Sequence, residues 1–542
     1  LIAARIGETT LPVNIDESRL AELHVASGAA ALSEQLAELH FPIIFPEVFL
    51  SETPGFDCIL GNPPWEEVIV EELQFWSSRF PELKRLDGAK QRERLLELRS
   101  EHMDLAKVLE SERATVEALR RSLTSGIYPG MGVGDPDLYK AFLWRFTELT
   151  ASRGTNGVVL PRSVFAALGS APWRLDVFAR RDLEITLCKN KGEWLFTDVN
   201  PGYPICLVVI LPPSETPQLR VRGTYMSEAE YLEGISKAPA VIEVPVLRGM
   251  DDNLCVPAVD TADEMSLLSK LVQHMAFGNR SRPDWCAVPA TELHASNDKA
   301  EFFTDDSRDH PIYNHLNVGH FTFDASPGAF NWADLQAGKR ILQDKRASNA
   351  RRSRSPFRRM PEGWERDPES LPCSNPRVTY RAIAHSSNPR KIWFAVAPVD
   401  TLLTNAAPYL VFWQGGVADE AYVLGLMNSS VVDWFGHLRV ALNINIFIVN
   451  SIPIPIRGYT SREDRLVSLA AGLALAAEGD LGEWSTLGEP ITDDDARAGA
   501  LAEIDAISTL LFGLDDDDLP LIFNIDTRPS LGDVLAYRKR WE

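Results

Sequence analysis

Short apolar runs bounded by glycine alternate with longer amphipathic stretches through the first two hundred residues. The run Gly55-Phe56-Asp57-Cys58-Ile59-Leu60-Gly61 is brief, apolar and closed by glycines, the pattern of a strand buried on both faces of a parallel sheet. From Glu66 to about Ser125 the chain is dense in Glu, Arg, Lys and Leu. There Leu95, Leu96, Leu98, Leu105, Val108 and Leu109 recur near helical spacing, which predicts a helical hairpin, read as a solvated scaffold element. Beyond it, 137–152 reads as a helix, 157–161 as a strand and 170–181 as a helix, followed by strands at 183–188 and 204–211. Alternating helix and strand is an α/β signature. An acidic, Ala-rich stretch at 17–39 also reads as helical. Residues 215–460 are less regular and rich in Pro, Asn, Ser and aromatics, and 461–512 are helical and rich in Ala and Leu. No internal repeat is present.

A chain of 542 residues exceeds what one core serves. With Pro212-Pro213-Ser214 read as a linker, the expected domains are 1–212, carrying a helical insertion at 66–127, then 213–460, then 461–542. No apolar run is long enough to cross a bilayer, so no membrane partner is expected. The six cysteines, at 58, 188, 206, 255, 286 and 373, form no zinc-type spacing, so no metal site is expected; unpaired thiols fit a reducing cytoplasm. The opening Leu1-Ile2-Ala3-Ala4-Arg5 has no initiator Met and no signal-peptide pattern, and reads as a cut inside a longer protein.

The densest chemistry lies in Asn62-Pro63-Pro64-Trp65, at the end of the first predicted strand. An exocyclic amine of adenine or cytosine is a poor nucleophile because its lone pair is delocalised into the ring. A site that accepts hydrogen bonds from both N–H groups draws the nitrogen towards tetrahedral geometry and frees the lone pair for attack on a methyl sulfonium. An Asn oxygen is one acceptor and the carbonyl of the next residue a second. A following proline stiffens the turn, and an aromatic residue beyond it offers a face for a flipped base. Asn and Pro also end strands without any such role. The end of a strand in an α/β sheet is, however, where such folds place their sites.

Residues 45–66, with Phe45-Pro46-Glu47-Val48-Phe49 ahead of the strand and the Asn-Pro-Pro-Trp turn, resemble motif IV of class I, S-adenosylmethionine-dependent DNA amino-methyltransferases. Specifically, they resemble the large bacterial restriction and phage-defence adenine methylases of the Eco57I and BREX type. Residues 132–146, with Gly134-Asp135 and Leu138-Tyr139, resemble the family's Gly-Asp-x-x-Leu-Tyr helix, and 157–165 its strand ending in Pro-x-Ser. Residues 190–209 resemble the later motif in which an aromatic residue faces the flipped base, with Phe196 as the candidate. Core packing is the competing role for that ring. Residues 377–390, 422–434 and 445–455 resemble the target-recognition part, and 497–524 a helix pair near the family's end.

The resemblance implies part of a Rossmann-like methyltransferase domain, then an α+β target-recognition domain and a C-terminal helical segment. It implies methylation of adenine N6 in duplex DNA, with S-adenosylmethionine as cofactor and double-stranded DNA as partner. Asn62 favours adenine over cytosine N4. The family's cofactor-binding Gly-x-Gly, upstream of motif IV, is absent, and the glycines at 130, 132 and 134 do not replace it. The main cofactor-binding motif is therefore expected in a missing N-terminal methyltransferase region or a partner chain.

The formal net charge of −22 argues against nucleic acid until its distribution is considered. Between 339 and 366 stand ten Lys or Arg against three acidic residues. Phosphate contact is expected of Lys345, Arg346, Arg351, Arg352, Arg354, Arg358 and Arg359, continuing to Arg381 and Arg390. An ordinary solvated charge run is the plainer alternative. Two other functions stay open: a DNA-reading module with an inactive methyltransferase remnant, and an enzyme that methylates RNA amines or protein glutamine. No Pro-Asp…Glu-x-Lys arrangement supports a nuclease.

Overall fold

The computed structural model describes residues 39 and 41–542, apart from 198, 200, 202, 251, 260, 299–309, 327, 329, 330, 351, 354, 385–387, 441, 442 and 525–527. Apart from Leu39, the helix expected at 17–39 lies outside the described residues, as do Arg351 and Arg354. The chain divides into two units, one of residues up to 248 with 252–256, the other of 257–542 with 249–251.

The first unit is built on a six-stranded sheet: β1 (Phe56–Gly61), β2 (Thr150–Pro161), β3 (Arg181–Lys189), β4 (Pro204–Pro213), β5 (Gln218–Tyr225) and β6 (Ala240–Glu243), in the order β1-β2-β4-β3-β5-β6. β1 and β2 are parallel, β4 runs antiparallel between β2 and β3, β5 is parallel to β3, and β6 closes the row antiparallel. Period-two burial builds the sheet, with Leu183, Ile185 and Leu187 on β3 and Val208 and Ile210 on β4. Each such side chain contributes about 1.5–3 kcal/mol when fully buried.

Between β1 and β2 lie the helices α1 (Gly88–Glu101), α2 (Met103–Thr124) and α3 (Leu138–Leu149); α4 (Ala171–Phe178) follows β2. Trp76, Leu83, Leu98 and Leu109 form a small core of their own within the insertion. Ahead of β1, the rings of Phe41, Phe45 and Phe49 meet Phe56 edge-on at 6.1, 5.6 and 5.3 Å, so the Phe-Pro run anchors the start of the strand. Gly55 enters it at φ +115°, and a Cβ there would stand 2.5 Å from the Ala151 nitrogen, which requires glycine.

Two expectations fail in this unit. β1 is not buried: among the described residues it pairs with β2 alone, Cys58 is exposed and Leu60 is 79% exposed. An apolar run reads alike whether its neighbours are present or not. Nor does Pro212-Pro213 begin a linker. It ends β4, and β5 and β6 extend the same sheet, because Leu219, Val221, Ala240 and Ile242 alternate inward along them.

In the second unit, β7 (Cys286–Ala290), β10 (Arg377–Tyr380), β11 (Phe394–Ala397) and β13 (Tyr409–Gln414) form an antiparallel sheet in the order β11-β10-β13-β7. A smaller one joins β8 (His310–Tyr313), β9 (Asn331–Ala333) and β12 (Leu402–Leu403). Its helices include α5 (Leu335–Asn349), α6 (Val417–Met427), α7 (Ser430–Arg439), α8 (Ser461–Ala474), α9 (Asp494–Leu511) and α10 (Leu531–Trp541). The expected boundary at 461 is not a division of the structure. Residues 421–427 of α6 are all buried, and Gly425 lets Leu466 and Ala470 of α8 approach to 3.1 and 3.4 Å of where its Cβ would stand. A helix apolar all round must be covered, and the C-terminal helices cover it. Among the described residues no helix is long and apolar enough to cross a membrane.

Candidate active site

The carboxyl ends of β1, β2 and β3 lie side by side, since Gly61 faces Val158 and the start of β4 faces the ends of both β2 and β3. Three segments leave from this end of the sheet: 62–65, 162–165 and 190–203. Asn62 is exposed at the tip of β1, and its side chain has no hydrogen-bond partner among the described residues. Pro63 is buried, Pro64 exposed and Trp65 half-buried.

Trp65 is held from two sides. Its indole N–H donates to the Val159 carbonyl at 3.4 Å, and its ring stacks on Tyr203, centroids 5.7 Å apart and planes at 24°. The chain beyond it is pinned as well: Leu138 N–H donates to the Glu66 carbonyl at 3.0 Å and Val68 N–H to the Pro136 carbonyl at 3.3 Å. Lys140, buried, braces the other side of that pairing, reaching the Asp135 carbonyl at 2.6 Å and the Asp137 carboxylate at 3.0 Å. The Tyr139 hydroxyl lies 3.0 Å from Ser163 Oγ, and burial pushes the phenol up to about 12, so it stays neutral. Gly130 packs closely on the next segment, since a Cβ there would lie 2.1 Å from the Gly169 carbonyl oxygen.

The 190–203 segment turns on Asn190, which is fully buried. Its amide donates to the carbonyls of Phe196 and Val199 at 2.7 and 3.0 Å, and its oxygen accepts from the N–H groups of Leu195 and Phe196, both at 3.1 Å. Phe196 is half-buried at the same end of the sheet, but the ring stacked on Trp65 is Tyr203. The sequence carries a signal for Tyr203, an aromatic residue directly before the apolar run of β4, but the family pattern points to Phe196 in the same stretch.

The basic island in the second unit divides by burial. Arg352, Arg358 and Arg359 are exposed, and Arg359 lies over the Trp413 ring at 5.0 Å. Lys345 is paired with Asp298. Two residues expected to contact DNA are buried among backbone carbonyls. Arg346 is buried, donating to the carbonyls of Ser370 and Asp367 at 3.0 and 2.8 Å with its guanidinium over Trp364. Arg390 is buried too, donating to the carbonyls of Ile392, Asn428 and Ser429. Both guanidiniums bind backbone carbonyls inside the fold. Arg381 is half-buried, bonded to the His315 carbonyl at 3.0 Å and stacked over Trp393 at 4.6 Å.

Around Arg390 the recognition-like motifs turn out to be framework. Asn428 exchanges hydrogen bonds with the Phe394 backbone at 2.8 and 3.0 Å, and Asp433 accepts from the N–H groups of Lys391 and Ile392 at 2.7 and 3.0 Å. Asp433 also pairs with Arg528 at 2.8 Å. Burial pushes its carboxyl up, but Arg390, His437 and Arg528 outweigh that and hold it well below the usual carboxylate range.

No protein-family model matches the chain, and no curated relative does. Among solved structures, it is similar at 11% identity to the Type IIL restriction-modification enzyme MmeI in complex with DNA, with a TM-score of 0.42 over 77% of this chain and 55% of that one. It is similar to the type IIG restriction endonuclease BpuSI at 11% identity, with a TM-score of 0.27 over 74% and 52%. A nuclease-deletion mutant of the Type ISP restriction-modification enzyme LlaGI, in complex with a DNA substrate mimic, is 10% identical, with a TM-score of 0.36 over 87% and 37%. The chain spans about half the length of the first two and little more than a third of the third.

Proposed function

We propose that this chain carries the target-base half of an adenine-specific DNA methyltransferase, acting on duplex DNA by base flipping within restriction-modification or phage defence. The supporting observation is the seating of Asn62-Pro63-Pro64-Trp65. The acceptor amide stands exposed and unpartnered at the end of a strand, while Trp65 behind it is fixed by Val159 and stacked on Tyr203.

In this reading the Asn62 oxygen and the Pro63 carbonyl accept hydrogen bonds from the two N–H groups of the adenine amine. Burial of Pro63 and the fixed φ of two prolines hold the backbone carbonyl acceptor in place, while the exposed Asn62 amide is free to meet the base. Trp65 presents a face for the purine. The chemistry is positioning and electrostatics, with no strong general base.

S-adenosylmethionine is the proposed methyl donor, but the described residues do not form a cradle for it. The glycines at 130, 132 and 134 lie between α2 and α3 and follow no strand directly, and Gly130 packs against Gly169 and Pro172. The open edge of β1 is the place where further sheet would pair, and an unpaired strand edge is a template for another strand. Donor binding therefore belongs to residues outside the described ones, in this chain or another.

One observation favours a second reading, a DNA-binding module without transfer: the lack of that cradle. Incubating the full-length protein with labelled S-adenosylmethionine and, in parallel, duplex DNA, RNA and a glutamine-bearing peptide tests both. Label recovered as N6-methyladenine in duplex DNA is expected. Label in RNA or glutamine contradicts the proposal, and DNA binding without any label establishes the module.

A further inference from the structure

The second unit holds a half-open cavity of about 580 Å³ between β7, α5 and the segment 352–372. That is the size of a small-molecule site and several times what a phosphate needs. One side is apolar, formed by Val288, Leu342, Phe357 and Leu371. At the mouth stand Arg280 and Arg352, both exposed and neither paired with a carboxylate among the described residues.

Deeper in, the lining is polar. Arg346 is 2% exposed and its Nε has no hydrogen-bond partner among the described residues; the Asn450 side-chain oxygen is buried and equally unpartnered. The carboxylate in the wall, Glu292, is held by Arg377 at 2.7 Å and by the Leu403 N–H at 2.9 Å, so it does not cancel the charge at the mouth. Lys345, also lining, is occupied by Asp298 and adds little. Arg280 is held in place over Trp413 at 5.1 Å, with Arg359 at 5.0 Å from the same ring centroid.

We propose that this cavity binds a nucleoside 5′-monophosphate unit, either free or as one nucleotide of a DNA strand, with the base against Phe357 and Leu342 and the phosphate at Arg280 and Arg352. Apolar lining that includes the Phe357 ring, and two exposed guanidiniums without carboxylate partners among the described residues, match the base and the phosphate of that ligand. The site lies in the other unit from Asn62 and does not depend on methyl transfer there.

The test titrates the full-length protein with each deoxynucleoside 5′-monophosphate, the matching nucleosides, inorganic phosphate and duplex DNA, by calorimetry and anisotropy. The variants are Arg280→Ala with Arg352→Ala, which removes the charge, and Thr291→Trp at the exposed rim, which fills the mouth without changing charge. Arg366→Ala, exposed and outside the cavity, is the control. At least one monophosphate is expected to bind roughly tenfold more tightly than its nucleoside, with both cavity variants losing roughly tenfold. If the source is DNA, both variants weaken the duplex by a similar factor; if it is a free nucleotide, duplex affinity matches the control. The proposal is overturned if no monophosphate binds and duplex affinity is unchanged, or if Thr291→Trp behaves as wild type. Methyl transfer persisting alongside such a result would reject the cavity alone and leave the Asn62 reading standing.

Discussion

Trp65 and Tyr203, 138 positions apart in sequence, stack with ring centroids 5.7 Å apart and planes 24° from parallel. They meet because β1 and β4 flank β2 and their connecting segments emerge at the same end of the sheet. Tyr203 is 44% exposed, and under the proposed function its ring would be open to contact with a flipped base.

This stacking makes Tyr203 the expected partner of the target base. Tyr203→Ala should weaken capture of a flipped base by about 1–3 kcal/mol, while Tyr203→Phe keeps it. The readout is the fluorescence of 2-aminopurine placed at the mapped target adenine. Equal signals for Tyr203→Ala and wild type, with loss on Phe196→Ala, would return the role to Phe196.

Asn190 is a positioning residue for the same segment. Its side chain makes four hydrogen bonds to backbone groups of 195, 196 and 199, so Asn190→Ala leaves those groups unpaired. A cost of about 1–3 kcal/mol is expected, together with faster amide exchange confined to 191–203. Unchanged exchange there would show that the segment is held by other interactions.

The exposed arginines should separate from the buried one. Replacing Arg352, Arg358 and Arg359 with Ala is expected to lower duplex affinity and flatten its salt dependence, by about one unit of slope for each phosphate no longer neutralised. Arg346→Ala should instead lower the unfolding temperature, because it removes buried hydrogen bonds to the Ser370 and Asp367 carbonyls and the stacking of the guanidinium on Trp364. A triple variant with unaltered salt dependence would place the DNA path elsewhere.

Asp433 sets an acid limit on the second unit. Its folded pKa lies below the unfolded value of about 3.9, so its contribution is complete above about pH 4 and is lost as pH falls through the lowered folded value. Asp433→Asn should cost about 3–5 kcal/mol at neutral pH, because it removes the carboxylate paired with Arg528 and leaves buried Arg390 and Arg528 with only Asp505 as counter-charge among the described residues. It should also lose less stability than wild type on acidification below pH 4, measured by denaturant melts. Parallel pH curves for the two proteins would show that Asp433 sets no such limit.

What was legible in the sequence follows from how local each feature is. Asn62-Pro63-Pro64-Trp65 and the strand before it are contiguous, and their place at a strand end could be read directly. The pairing of Trp65 with Tyr203 depends on strand order, which no local pattern encodes. Charge runs mislead for a similar reason. A run of Lys and Arg reads as surface, yet Gly338, Leu342 and Arg346 recur every four residues along α5 and all face inward. That spacing is the signal that Arg346 belongs to the core. Arg390 has no such signal, because the carbonyls it satisfies follow α6, almost forty residues later.

The most direct measurement compares wild type with Asn62→Ala in the full-length protein, counting N6-methyladenine formed in duplex DNA and, separately, duplex affinity. Asn62 is exposed and bonded to nothing described, so the fold should be indifferent to the change. A target-base role for Asn62 predicts a fall in methyl transfer of roughly a hundredfold or more with affinity retained. Wild-type transfer by Asn62→Ala would contradict that role.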